Sequence, residues 1–203
     1  MDLLQKKEKI DKLRKQIAVC ERCHLHQTRT HTVPGEGSLD AQIMFIGEAP
    51  GEKEDQLGQP FVGRAGAVLD KLLASIELKR EDIYICNILK CRPPDNRNPL
   101  PDEIHACIGS LDLQIKLIDP LVIATLGKFA TTYILEKFAL PFSTISSVAG
   151  QVYKVDSSFG PKTIIPLFHP AVAMYDGSKY DRLLSDFKKL KPFAQESRHA
   201  HRL

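Results

Sequence analysis

Four short apolar runs constrain this chain more than any other feature. They are residues 42–46 (Gln42-Ile43-Met44-Phe45-Ile46), 82–89 (Asp82 to Leu89), 121–127 (Leu121 to Gly127) and 163–167 (Thr163 to Leu167). Each is too short for a helix and rich in β-branched or aromatic residues, the pattern of a strand buried on both faces. Helical patterns lie between them. Residues 65–76 place Val68, Leu69, Leu72, Leu73 and Ile76 on one face, and 101–118 open with Pro101, Asp102 and Glu103 in the first turn. Residues 128–137 follow the third run, and 178–190, N-capped by Ser178, close the chain. Buried strands alternating with helices predict a parallel sheet covered on both faces. Gln151 to Val155 pairs with the last run across the turn Asp156 to Pro161, and 139–150 reads as a loop. A further helix over 2–18, with Asp2 as N-cap, sets Leu3, Leu4, Ile10, Leu13 and Ile17 near one face and a solvated basic face opposite.

Length and composition narrow the class. The 203 residues suit one domain, expected over 1–191 with a frayed polar tail at 192–203, and 43% hydrophobic content is enough for a core. No apolar run approaches membrane-spanning length, and the N-terminus lacks the apolar core of a secretory signal, so the expectation is a cytoplasmic protein. A net charge of +3 permits nucleic-acid binding without demanding it. The chain has no GxGxxG and no GxxxxGK[ST], which disfavours a dinucleotide or P-loop site.

Three unusual groups fall at or near the carboxyl ends of predicted strands. Glu48 sits in the turn Gly47-Glu48-Ala49-Pro50-Gly51 after the first, Asn87 lies late in the second, and His169 follows the last. In open parallel sheets the ligand crevice lies outside those ends, so residues far apart in sequence meet there. A buried amide must find partners, either a neighbouring loop or a ligand. Phe61, in a glycine-rich loop over 58–66, serves as a core anchor or offers an aromatic face to a ligand.

Five cysteines is an odd count and not a disulfide framework. Cys20 and Cys23 form a C-x2-C bite; Cys91 lies in a stiff basic loop, 90–99, and Cys107 in the helix behind it. Four thiolates suit zinc and a [4Fe–4S] cluster alike, and spacing does not separate them. Cys86, beside Asn87, reads as a small core hydrophobe. His24, His26 and His31 read as surface or loop histidines.

Taken together, Cys20-x-x-Cys23, Gly47 to Gly51, Gly58 to Gly66, Asn87, Lys90-Cys91-Arg92-Pro93-Pro94, Cys107 and His169-Pro170-Ala171 closely resemble, in order, the motifs of the family 4 uracil-DNA glycosylases. The resemblance covers about residues 20–190. It implies a three-layer α/β/α sandwich with a central, mainly parallel four-stranded sheet, a structural [4Fe–4S] cluster on Cys20, Cys23, Cys91 and Cys107, and hydrolytic excision of uracil from DNA by a monofunctional enzyme that flips the base. It also implies site roles: Gly47, Glu48 and Ala49 at the water-and-uracil end, Glu54 as an acidic pocket position, Phe61 stacking on the base, Asn87 reading its edge, and His169 facing the leaving group. Other branches of the superfamily carry an acid where this chain has Ala49, as family 4 members do. Expected DNA contacts are Lys90, Arg92 and Arg97, with Met174 and Tyr175 as wedge candidates, and a monomer is expected. A competing reading, a non-catalytic nucleic-acid-binding module built on the four cysteines, accounts for the basic loop but leaves Glu48, Asn87 and His169 without a role. A third, a glycosylase for another deaminated base, is separable only by assay.

Overall fold

The computed structural model describes all residues except 158, 159, 175 and 195–203. Among the described residues six strands form one sheet: β1 (Glu36–Gly37), β2 (Ile43–Gly47), β3 (Tyr84–Asn87), β4 (Val122–Leu126), β5 (Tyr153–Ser157) and β6 (Gly160–Leu167), in the order β1-β3-β2-β4-β6-β5. The inner four, β3-β2-β4-β6, are parallel, and β1 and β5 add antiparallel edges. The expected four-stranded sheet is therefore the core of a six-stranded one. The two-residue β1 lies outside the expected strands, because Glu36 and Gly37 are too few and too polar to carry a strand signal.

The layers are completed by helices α1 (Leu3–Ala18), α2 (Glu52–Leu57), α3 (Arg64–Ser75), α4 (Pro101–Ile118), α5 (Lys128–Lys137), α6 (Ile145–Val148) and α7 (Gly177–Phe187). Side chains alternate across the strands. Met44, Ile46, Tyr84, Cys86 and Ile123 pack under α1, α4 and α5, whereas Ile43, Phe45, Ile85, Ala124 and Leu167 pack under α3 and α7. Cys86 is fully buried, as its apolar context predicts. On α1 only Ile10, Leu13 and Ile17 are buried; Leu3 and Leu4 stay exposed at the helix start.

Local chemistry moves several boundaries. Asp176, not Ser178, caps α7, its carboxylate accepting the Ser178 N–H at 3.0 Å. The short helices α2 and α6 lie within predicted loops, since six and four residues give no usable periodicity. The expected tail at 192 instead continues as helix over 191–194, with Ala194 3% exposed, and 195–203 lie outside the described residues. No helix among the described residues is long and apolar enough to cross a membrane.

The chain leaves β2 for β3 on one side and later places β4 on the other. The strand order reverses there, so the ends of β2 and β4 splay their following loops apart and open a crevice.

Candidate functional site

A cleft of about 590 Å³ occupies that crevice, and Glu48, Ala49, Glu54, Phe61, Asn87 and His169 all line it. Residues from three separate strand ends thus meet, as the strand-end argument predicts. Gly47 makes their approach possible: a Cβ there would lie 2.3 Å from Asn87 Oδ1 and 2.7 Å from Phe61 Cζ. Asn87 is 1% exposed and its Oδ1 has no hydrogen-bond partner among the described residues.

Phe61 is held in a left-handed conformation, φ 54°, rare for an aromatic residue. Two features sustain it. Gly66 passes so close that a Cβ would sit 1.7 Å from the Phe61 carbonyl oxygen. Arg80 donates to the carbonyls of Pro60, at 3.0 Å, and Phe61, while its Nε binds Asp70 at 2.7 Å. The Phe61 ring is thereby both buried and cleft-lining, so the two readings of this residue are compatible. It stacks on the His169 imidazole with centroids 5.7 Å apart and 28° between planes.

His169 Nδ1 accepts the Ala171 N–H at 3.2 Å, which places the proton of the neutral ring on Nε2. Burial pushes its pKa down to about 4, against an opposing pull from the Glu54 carboxylate. Gly127, at φ +91° after β4, leaves room for the ring; a Cβ there would be 3.2 Å from His169 Cβ. Burial raises the Glu48 pKa. Glu54 latches the Phe61 loop to α2, its Oε1 accepting the Gly63 N–H at 2.7 Å.

The expected DNA-contact residues divide. Met174 and Arg97 line the cleft, although Arg97 is paired with Glu103 at 2.6 Å. Arg92 is partly exposed, bonded to Asn96 at 2.8 Å. Lys90 is a correction: it is 2% exposed, and its ammonium reaches the Asn87 carbonyl and Gln114 Oε1, both at 2.6 Å. In sequence it stands in a basic, proline-rich loop, and only the fold reveals that this part of the loop runs inward. Tyr175 lies outside the described residues. Lys53 and Arg64 line the cleft without having been singled out; adjacency to the acidic turn and to the Phe61 loop was their one signal. His24, read as a surface residue, is half-exposed and meets the buried Glu103 at 2.9 Å.

Cys20, Cys23, Cys91 and Cys107 line a second, separate chamber of about 20 Å³ beside the end of α1. Arg22 Nε donates to Cys20 Sγ at 3.2 Å and Arg29 Nη1 to Cys91 Sγ at 3.4 Å. Burial opposes ionisation of Cys20, yet Arg22 and Arg29 outweigh it and hold the thiol below its ordinary value. Burial raises Cys23 and Cys107, and Cys91 up to about 11. Among the described residues no three Cys, His, Asp or Glu side chains converge as ligands of a single ion. A tetrahedral zinc site would bring all four sulfurs to about 2.3 Å from one point. Four thiols line one chamber, with cations donating to two of them, a donor set that either zinc or an iron–sulfur cluster accepts.

The model of the uracil DNA glycosylase superfamily matches residues 34–195. The chain belongs to that superfamily. A type-4 uracil-DNA glycosylase of Archaeoglobus fulgidus is 47% identical over 183 residues, covering 90% of this chain and 92% of its own. Similar proteins of the same description occur in Sulfurisphaera tokodaii (44% over 188 residues; 92% and 86% covered) and Thermotoga maritima (42% over 193 residues; 94% and 97% covered). The superfamily match spans the whole cleft, from the loop before β1 to the helix that closes the sheet.

Proposed function

We propose that the cleft is the base pocket of an enzyme that hydrolyses the N-glycosidic bond of uracil in DNA, releasing the free base and leaving the strand intact. One observation carries this reading: the Asn87 amide is buried and cleft-lining, and its Oδ1 is unpartnered. Such a group needs a ligand to complete it. An amide offers one acceptor and two donors, which match uracil N3–H and O4. Cytosine presents the reverse pattern there, and a fixed amide rejects it.

The reaction breaks the bond between the sugar C1′ and uracil N1. The electron pair stays with the base, where negative charge spreads from N1 to O2. His169 is neutral with its proton on Nε2, so it donates to O2 and its hydrogen bond strengthens as charge develops. Phe61 stacks on the extruded ring, with a contribution of about 1–3 kcal/mol that offsets part of the cost of flipping. Glu48 and the Gly47–Gly51 backbone hold the water whose oxygen adds to C1′, and the proton that water loses ends on the departed uracil N1. Lys53, Arg64 and Arg92 meet phosphates, and Met174 fills the space the base vacates.

Cys20, Cys23, Cys91 and Cys107 would hold a [4Fe–4S] cluster. When bound it would supply iron–thiolate bonds through which these residues tie together the end of α1, the loop after β3 and α4. The enzyme acts as a cytoplasmic monomer, its single catalytic domain built on one sheet.

The test is release of free uracil from uracil-containing oligonucleotides, with strand breakage appearing only after alkaline treatment. Asn87→Ala should lower release at least about 100-fold, the worth of two buried hydrogen bonds, while leaving affinity for abasic DNA within about threefold. Absence of release by brown, folded wild-type protein at high enzyme concentration overturns the reading.

A further inference from the structure

We propose that Lys90 is a positioning residue for base recognition: its buried ammonium fixes the main chain that carries the Asn87 amide. The proposal rests on the function proposed above and extends it to a residue outside the cleft.

A lysine 2% exposed is unusual, because an ammonium removed from water must have its donors satisfied. Lys90 Nζ donates to the Asn87 carbonyl and to Gln114 Oε1, both at 2.6 Å. Gln114, itself 1% exposed, passes the restraint on: its Nε2 donates to the Pro34 carbonyl at 2.6 Å and to Tyr84 Oη at 3.1 Å. The network therefore joins α4, β3 and the segment before β1. Lys90 also lines the cysteine chamber, and its backbone N–H reaches the Cys107 sulfur.

Its position explains why such a device is needed. The β1 ladder pairs only with Tyr84 and Ile85 and ends before Asn87. On its other side Asn87 still pairs with Gly47 of β2, and the ladder continues through Ile88 N–H to the Gly47 carbonyl at 3.0 Å. On the open edge the Asn87 carbonyl receives the Lys90 ammonium instead of a strand neighbour. Asn87 Oδ1 has no partner of its own, so the amide's aim depends on how firmly its backbone is held. Tyr84, Gln114 and Lys90 are hydrogen-bonded to one another and lead to Asn87, whose buried Oδ1 has no partner among the described residues.

The experiment compares wild type, Lys90→Met and Gln114→Leu by two equilibrium measurements: inhibition by free uracil, which reads the base pocket, and affinity for abasic-site DNA, which reads the rest of the surface. Visible absorbance and thiol content report the cysteine chamber. Lys90→Met should weaken uracil inhibition at least tenfold and lower kcat/KM by a similar factor, with abasic-DNA affinity within twofold and absorbance retained. Gln114→Leu, remote from the cysteines, should weaken uracil inhibition about threefold in the same selective way, and it decides the matter if Lys90→Met does not fold. Unchanged uracil inhibition in folded Lys90→Met, or in Gln114→Leu where Lys90→Met fails to fold, overturns the proposal. So does parallel loss of uracil and abasic-DNA affinity, which would mark a merely structural lysine. Wild-type protein that neither releases nor binds uracil would instead refute the proposed function.

Discussion

Acidification should destabilise this protein through His169, by an amount that follows from its environment. Burial lowers the folded-state pKa from 6.5 to about 4, against the opposing Glu54 charge. Between those values the unfolded chain binds a proton that the folded protein refuses. The unfolded state then binds more protons, so stability rises with pH across this window and is lost on acidification. His169's contribution is complete above pH 6.5 and falls away toward pH 4. At about 1.4 kcal/mol per pH unit the full effect is about 3 kcal/mol, and about 2 kcal/mol of it is gone by pH 5. With a urea dependence of about 2 kcal/mol per molar, the midpoint should drop by about 1 M between pH 7.5 and 5. Glu48, whose pKa burial raises, contributes with the opposite sign, so wild type must be compared with His169→Gln, which lacks only the imidazole. The variant should lose about 2 kcal/mol less over this interval. Wild-type kcat should show no loss with an apparent pKa near 6.5, because the imidazole is already neutral there. Equal pH slopes in the two proteins, or a kcat that falls at pH 6.5, would refute the argument.

Three further outcomes follow from the geometry. Phe61→Ala should lower kcat/KM for uracil release by about 5- to 150-fold, the equivalent of about 1–3 kcal/mol of lost stacking, with abasic-DNA affinity retained. Gly66→Ala places a Cβ 1.7 Å from the Phe61 carbonyl oxygen and should lower stability by about 1–3 kcal/mol or more, read as a reduced melting temperature together with weaker uracil inhibition. Cys91→Ala removes one of the four chamber thiols and should abolish the brown colour and the bound iron, measured by absorbance and metal analysis.

The parts of the molecule legible in sequence are those with local signatures. The apolar runs announced the four parallel strands, i, i+3, i+4 spacing announced α3, and a proline and two acids in the first turn announced α4. Strand-end placement alone brought Glu48, Asn87 and His169 together, because a parallel sheet gathers the carboxyl ends of its strands on one edge. What escaped was set by tertiary context. The direction of Lys90 depends on where the loop after β3 turns, and the Gln114 partner that neutralises its burial lies 24 residues away. Arg80's grip on the Phe61 loop spans 19 residues and has no motif. The two-residue edge strand β1 and the short helices α2 and α6 hold too few residues to express a period. Phe61's left-handed backbone is legible only once Gly66 is seen beneath it.

Two titratable groups of the cleft, Glu48 and His169, shift for one cause and move in opposite directions. Burial raises Glu48 and lowers His169. Desolvation disfavours whichever form is charged, so both are biased toward neutrality. Uracil is itself neutral before the bond breaks, and the imidazole it would meet is uncharged. Charge arises only as the base departs, when the Nε2–H of His169 finds an anion at O2. A positively charged imidazole would attract the backbone phosphates and the departing base alike, and that uniform attraction would not speed the chemical step. In the proposed reaction a neutral ring would act selectively on the transition state. The same logic suits Ala49, which lines the cleft where other branches of the superfamily place an acid. If departure of the base carries most of the barrier, the water needs holding more than deprotonating. Glu48, whose pKa burial raises, then need only hold the water within the Gly47–Gly51 backbone, and substituting it should affect the rate less than substituting Asn87 or His169.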